Sequence, residues 1–146
     1  MRLVFTADLP EAVKGADLVQ ENGPERIDFK KKLYGQLDQL LPPDVIIASS
    51  SSGLTMSDIQ SGAPLHPERC VIAHPFNPPH LVPLVEIVGG AKTSEETIRR
   101  ASGFYTALGK RTVRLHKEVP GHVNQIQWRS ISINIGWIDH AGDKKC

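Results

Sequence analysis

The alternation of short apolar runs with longer amphipathic stretches constrains this chain more than any other feature of its sequence. Six runs are rich in β-branched residues and predict strands: Leu3–Thr6, Asp17–Gln20, Val45–Ala48, Val71–Ala73, Leu84–Val88 and Thr112–Leu115. Most of them are short and uniformly apolar, which is typical of strands that are buried on both faces. Strands and helices that alternate along a chain predict an α/β fold, in which helices cover a parallel sheet.

Two helices have recognisable ends in the sequence. Apolar residues recur at helical spacing over Pro24–Leu41, and the two prolines that follow predict the end of this helix. The segment Thr93–Glu96 offers an N-cap and two acidic residues for a first turn. The second helix is therefore predicted to run from there to Leu108, with Gly109 as its C-cap.

Length, charge and cysteine content limit the functions open to the chain. The 146 residues are 40% hydrophobic, which is enough for one buried core. The formal net charge of +1 comes from acids and bases spread along the chain, so neither nucleic acid nor a membrane is an expected partner. Two cysteines are too few for a disulfide framework, and no apolar run approaches the roughly 18 residues of a membrane span. We therefore expect a cytoplasmic protein with a small-molecule partner.

Polar residues follow predicted strands, where α/β proteins bind ligands. In open α/β sheets the ligand site lies at the carboxyl ends of the strands, and the serine run at 49–52 directly follows Val45–Ala48. His74 directly follows the next predicted strand, and Glu86 lies within the one after it. In isolation these two residues would more often be a strand-end cap and a charge on a solvated strand. A serine-rich turn after a strand is likewise more often a hydrogen-bonded loop.

Two other chemistries find no support in the sequence. His66, His74 and His80 lack a metal-ligand spacing, and no cluster of cysteines or acids accompanies them, so no metal site is expected. There is no G-x-S-x-G turn, so the serine run does not form the nucleophile elbow of a hydrolase.

Four segments together carry a family resemblance: Ser49–Leu54, Ala73–Pro79, Val82–Val88 and Val119–Gly121. In this order and at these spacings they resemble the NAD-binding domain of the 3-hydroxyacyl-CoA dehydrogenase family. The proline-rich version found here is most similar to the branch that contains L-carnitine dehydrogenase, L-gulonate dehydrogenase and lambda-crystallin. The resemblance implies a Rossmann-like, doubly wound parallel sheet. It also implies NAD-dependent oxidation of a 3-hydroxy group, in a 3-hydroxyacyl-CoA, carnitine or a related 3-hydroxy acid, to the 3-oxo product.

The resemblance also implies a catalytic pair. His74 matches the family's base, which takes the hydroxyl proton while hydride leaves the same carbon, and histidine suits this task because it titrates near neutrality. Glu86 matches the carboxylate that binds the other ring nitrogen, sets the tautomer and stabilises the imidazolium. Ser52 matches the serine that hydrogen-bonds the substrate oxygen and lies against the cofactor. The usual Asn-Thr before that serine is replaced here by two serines.

Further residues match ligand contacts of the family. Asn77 corresponds to an asparagine near the nicotinamide. Glu25 and Lys30 correspond to contacts on the ribose and nicotinamide side of NAD, although on their own they would be surface charges. Asn124 stands where the family has a substrate-binding asparagine, in a segment that matches the family poorly.

The sequence departs from the family at both ends. It has no G-x-G-x-x-G turn, and Asp17–Gln20 corresponds to the family's fourth strand, so we expect the first βαβ unit to be lacking. The all-helical domain that follows in the family, and forms its homodimer, is also not recognisable. Instead, Ser130–Ile135 alternates with period two. We expect a partial NAD-binding domain over 1–123 and a divergent tail over 124–146, and our hypothesis for the tail is a shifted reading frame near Val123.

These departures leave two interpretations of the chain open. One is a dehydrogenase fragment, and the other is a non-catalytic remnant or a binding or structural protein derived from the family. In the usual strand order, lack of the first unit would turn Asp17–Gln20 into an open edge, where backbone groups can pair with another chain. We therefore expect self-association, unless the tail pairs with that edge.

We expect this chain alone to bind NAD weakly or not at all, because the backbone donors and helix N-terminus that hold the pyrophosphate are not recognisable in it. Several charge-assisted hydrogen bonds, each worth roughly 1.5–3 kcal/mol, should be lost, which weakens binding by several orders of magnitude. Isothermal titration calorimetry measures this directly. A micromolar dissociation constant would contradict the expectation, or would mean that a partner chain supplies the turn.

Overall fold

A five-stranded mixed sheet forms the centre of the computed structural model, which describes residues 3–119. The strands lie side by side in chain order: β1 (Leu18–Glu21), β2 (Ile46–Ser49), β3 (Cys70–Pro75), β4 (Leu84–Gly89) and β5 (Arg111–Leu115). Five of the six predicted strands are confirmed in place, with ends that differ by at most two residues.

Helices cover both faces of this sheet. Their bounds are α1 (Leu9–Val13), α2 (Ile27–Leu40), α3 (Met56–Gln60) and α4 (Glu95–Ala107), and a 3-10 turn covers Pro67–Arg69. Apolar side chains of α1, α2 and α3 pack on one face, around Ile47 and Ile72, and those of α4 pack on the other, around Val71 and Ile87. The predicted α/β class and doubly wound arrangement are therefore confirmed. Within residues 3–119, no helix is long and apolar enough to cross a membrane.

The direction of the strands changes between β3 and β4. Strands β1, β2 and β3 are parallel, β4 is antiparallel to β3, and β5 is parallel to β4. The sheet is thus mixed, whereas the sequence predicted a parallel one. The connection over residues 76–83 explains the difference, because a parallel crossover needs about a dozen residues or more and a shorter connection makes a hairpin.

The predicted first strand is wrong. Residues 3–6 have no regular structure, and the apolar side chains there are exposed, with Phe5 at 88%. An apolar run becomes a strand only where another strand pairs with its backbone, and none of the described strands lies beside this segment. The next residues form α1 instead, a five-residue helix that is too short to show a helical period.

The predicted helix ends are confirmed by their capping contacts. Leu41 caps α2 directly before the two prolines. The Ser94 hydroxyl accepts a hydrogen bond from the Thr97 amide, 3.1 Å away, at the start of α4. Gly109 ends this helix at a φ of +79°, and its amide and the Lys110 amide donate back to the last turn. This is the left-handed glycine end that the sequence predicts, because glycine adopts a positive φ without strain.

Two glycines let α2 and the end of α3 pack in backbone contact. A Cβ atom on Gly62 would lie 2.4 Å from the Lys31 carbonyl oxygen and 2.6 Å from the Lys31 Cα. A Cβ atom on Gly35 would lie 3.1 Å from the Gly62 carbonyl oxygen. The helices thus pack at a distance that excludes a side chain at position 62.

Gly62→Ala should therefore lower the free energy of unfolding by about 1–3 kcal/mol, because the backbone of α2 has to move to admit the methyl group. Chemical denaturation measures the change. Gly103→Ala is the matched control, since a methyl group at position 103, inside α4, would meet no atom within 4 Å. The control should raise stability by roughly 0.5–1 kcal/mol. Equal effects of the two substitutions would contradict the proposed close contact.

Candidate active site

Polar side chains from four strands meet at one edge of the sheet. Glu21 and Ser49 are the last residues of β1 and β2 and lie opposite each other. His74 is next to last in β3 and lies opposite Glu86 of β4, which runs back from the same edge. Ser49 pairs with Ile72, two residues before His74, so all four side chains project from one face, the face that α2 and α3 cover.

His74 and Glu86 form a buried pair. The His74 Nδ1 atom lies 3.4 Å from Glu86 Oε2, and the two residues are only 5% and 2% exposed. Neither residue is therefore a solvated strand charge. A carboxylate beside Nδ1 favours a proton on that nitrogen and leaves Nε2 to accept one. The Phe76 ring lies against the imidazole, with 5.9 Å between centroids.

A second buried pair lies at the ends of β1 and α2. Lys30 Nζ donates to both carboxylate oxygens of Glu21, at 2.7 and 2.9 Å, and both side chains are 1% exposed. Ser49 Oγ donates to the same carboxylate at 2.7 Å. Lys30 is thus not a surface charge. The sequence analysis did not predict Glu21 as a site residue. Its position at the end of an apolar strand, like that of the serine run at the end of β2, could have indicated it.

Glu25 organises the turn after β2. Its Oε1 atom accepts hydrogen bonds from Ser51 Oγ at 2.5 Å, the Gly53 amide at 2.7 Å and the Leu54 amide at 3.1 Å. Burial alone would raise the pKa of Glu25, but the hydrogen bonds from these three donors and the charge of Lys30 outweigh it and hold the pKa below its usual value. The Glu25 side chain is 41% exposed, so this ionised carboxylate reaches the surface.

The remaining predicted residues lie around this edge or outside the described range. Ser52 lies half-buried in the bend after β2, and Asn77 is exposed in the loop after β3. Asn124 and the rest of 124–146 lie outside the described residues. The structure thus brings Glu25 and Lys30 together with the serine turn, and His74 together with Glu86.

Other reactive groups in the described part of the chain do not form a competing site. Over residues 3–119, no three His, Cys, Asp or Glu side chains are arranged to hold a metal ion. Cys70 is buried in the core, and burial raises the pKa of its thiol to about 12, which makes it a poor nucleophile.

The exposed carboxylate at this edge fits a ribose hydroxyl of a dinucleotide. Among the described residues, Glu25 Oε2 accepts no hydrogen bond, so it has capacity for a ribose hydroxyl at a partly exposed position. Asn77 is also exposed, two residues after the end of β3. The sequence contains no G-x-G-x-x-G turn for the pyrophosphate.

Solved structures identify the class. The chain matches 5-formyl-3-hydroxy-2-methylpyridine 4-carboxylic acid 5-dehydrogenase, an NAD+ dependent dismutase, with a TM-score of 0.83 and 38% identity over 88% of this chain and 41% of that one. It matches 3-hydroxybutyryl-CoA dehydrogenase from Escherichia coli K12 with a TM-score of 0.77 and 30% identity over 87% of this chain and 28% of that one. Its sheet is that of a Rossmann-type dehydrogenase.

Sequence relatives identify the family. Residues 1–119 match the model described as 3-hydroxyacyl-CoA dehydrogenase, NAD binding domain. The chain is 51% identical over 122 residues to L-carnitine dehydrogenase of Pseudomonas putida. It is 49% identical over 124 residues to 3-hydroxyacyl-CoA dehydrogenase of Gibberella moniliformis. The chain therefore belongs to the 3-hydroxyacyl-CoA dehydrogenase family, and NAD is the cofactor of this domain. In both comparisons 84% of this chain is matched, and it spans 38% of the relative's length.

Proposed function

We propose that this chain carries the catalytic pair and the nicotinamide end of the cofactor site of a dehydrogenase that oxidises a 3-hydroxy group to the 3-oxo product. The observation that carries the proposal is the buried pair of His74 and Glu86, 3.4 Å apart at the ligand edge of a Rossmann-type sheet. The substrate class is a 3-hydroxyacyl-CoA, carnitine or a related 3-hydroxy acid. The similarity to L-carnitine dehydrogenase supports this class.

His74 accepts the proton of the substrate hydroxyl at Nε2 in this mechanism. Glu86 holds Nδ1 and stabilises the imidazolium that results, because a buried cation without a counter-charge is costly. Bound NAD supplies the acceptor for the hydride that leaves the same carbon. Ser52, in the bend after β2, donates a hydrogen bond to the substrate oxygen and keeps the hydroxyl directed at His74.

Four residues would hold the nicotinamide and ribose end of NAD: Glu25, Lys30, Ser52 and Asn77. Glu25 supports this through its exposed, ionised carboxylate. Lys30 supplies a positive charge beneath it, 3.8 Å from Oε2. We also retain Asn124, which lies outside the described residues, as a substrate contact.

The organisation of the whole chain is part of the proposal. We propose a partial NAD-binding domain over 1–123, a divergent tail over 124–146 that arises from a shifted reading frame near Val123, and a cytoplasmic location. Translation of the other reading frames beyond codon 123 tests the tail, and the lack of an Asn-Arg-Leu segment there would argue against it.

The rival function is a non-catalytic remnant or a binding or structural protein. This sequence contains no G-x-G-x-x-G turn, which binds the pyrophosphate in dinucleotide-binding folds. Both functions predict weak binding of NAD by the chain alone. Only the dehydrogenase predicts turnover once the phosphate-binding segment and the helical domain of a relative are joined to it.

We further propose that the chain associates with itself through β1. This strand forms one edge of the described sheet, and its Leu18 and Val19 side chains are only partly buried. Exposed backbone groups on such an edge can pair with a second chain. Sedimentation velocity should show a mass that rises with concentration. A concentration-independent monomer with a cooperative thermal transition would exclude association.

His74→Ala should lower kcat by about 10²–10⁴-fold in the chain or in the version completed with the segments of a relative, because the proton acceptor is lost. Glu86→Gln should also lower kcat strongly, while the KM for NAD changes little in both variants, because neither residue binds the cofactor in this mechanism. His66→Ala is the matched control, since His66 lies on the surface beside Glu68. Turnover of the wild-type rate in His74→Ala would eliminate this residue as the base.

A further inference from the structure

Five polar residues form a closed ring at the carboxyl edge of the sheet: Glu21, Lys30, Glu25, Ser51 and Ser49. The Glu21 carboxylate accepts from Lys30 Nζ at 2.7 Å and from Ser49 Oγ at 2.7 Å. Ser49 Oγ accepts from the Ser51 amide at 3.1 Å, and Ser51 Oγ donates to Glu25 Oε1 at 2.5 Å. The 3.8 Å approach of Lys30 Nζ to Glu25 Oε2 closes the ring. We call this set the polar ring.

The polar ring opens to solvent at Glu25. Its other four members are buried, whereas the Glu25 side chain is 41% exposed. The ring holds two carboxylates and one ammonium, so one negative charge is left over, and it lies at the exposed member. The Glu25 carboxylate, whose charge is not balanced within the ring, therefore lies at the surface of the carboxyl edge of the sheet.

Glu21 determines how Lys30 acts within the ring. Both Glu21 oxygens accept from Nζ, at 2.7 and 2.9 Å, and this keeps the ammonium 3.8 Å from Glu25 Oε2, beyond hydrogen-bond distance. Glu25 therefore uses Oε1 for the turn and keeps Oε2 available. The desolvation of two buried charges costs free energy that often offsets the attraction between them. The pair of Glu21 and Lys30 therefore need not be explained by a gain in folding stability.

We propose that Glu21 is a positioning residue: by holding Lys30 and Ser49, it keeps the Glu25 carboxylate fixed on the 51–54 turn with Oε2 free for a hydroxyl of the bound ligand. The identity of that ligand as NAD rests on the proposed function. The position of Glu25 does not, because the contacts that fix it lie within the chain.

The test is Glu21→Gln, measured without ligand by NMR. Gln has no charge to balance that of Lys30. Glu25 then becomes the only carboxylate of the ring that can pair with the ammonium, and this attraction should draw the Glu25 carboxylate away from the turn. The titration of Glu25 should change, because its carboxylate exchanges the hydrogen bonds of the turn for a closer contact with Lys30. The Gly53 amide should exchange about tenfold faster, because it loses its acceptor. The Leu54 amide should also exchange faster, because it keeps only its 3.2 Å contact with Ser51 Oγ.

Asp38→Asn is the matched control. Asp38 is a second buried carboxylate, paired with buried Arg69 at 2.9 Å and remote from the ring in its contacts. This variant should lose global stability while Glu25 titrates as before and the Gly53 and Leu54 amides exchange as before. The proposal is overturned if Glu21→Gln leaves the titration and both amides unchanged, or if both variants alter them equally.

Ser49→Ala keeps the test decisive if Glu21→Gln does not fold. It retains every charge of the ring and removes the link between Glu21 and the Ser51 amide. The turn should loosen, with faster exchange at Gly53 and Leu54, and a folded variant with unchanged exchange would overturn the proposal. Because these measurements need neither NAD nor turnover, their failure would leave the assignment of His74 and Glu86 standing.

Discussion

The antiparallel pairing of β3 with β4 is the constraint on which the candidate site depends. The short connection over residues 76–83 rules out a crossover and forces a hairpin, which places His74 opposite Glu86. A slip of one residue in this register would turn Glu86 to the face of α4, among apolar side chains. The alternation of buried apolar residues along both strands opposes such a slip, so the packing of the core also holds His74 opposite Glu86.

Buried charge is used differently at the two ends of the sheet. Asp38 and Arg69 bind each other and the neighbouring backbone: Arg69 donates to the Asp38 carbonyl oxygen at 3.0 Å, and the Asp38 carboxylate accepts from the Leu65 amide at 2.7 Å. This pair joins α2 to the segment before β3. At the carboxyl edge, by contrast, the polar ring leaves Glu25 Oε2 without a hydrogen-bond donor among the described residues. The first arrangement links two segments of the fold, whereas the second presents a carboxylate at the surface.

Much of the fold follows from local sequence. Ser94 begins a helix, and Gly109 and the prolines after Leu41 end helices, through contacts within a few residues. Their positions can therefore be predicted before any tertiary contact is known. The apolar run at residues 3–6 shows the limit of such local prediction. It has the composition of a strand, but a strand forms only where a neighbour pairs with its backbone, and composition carries no information about neighbours.

The sequence by itself determined the α/β class, the family, NAD as the cofactor and the candidates His74 and Glu86, because these depend on residue types at spacings along the chain. Only the tertiary structure decided that the sheet reverses at β4, that Lys30 is buried and that Glu21 connects it to Ser49. Glu21 and Ser49 lie 28 residues apart in the chain and meet through the pairing of β1 with β2. Contacts of this kind depend on which strands become neighbours, and that choice is made by the packing of the whole domain.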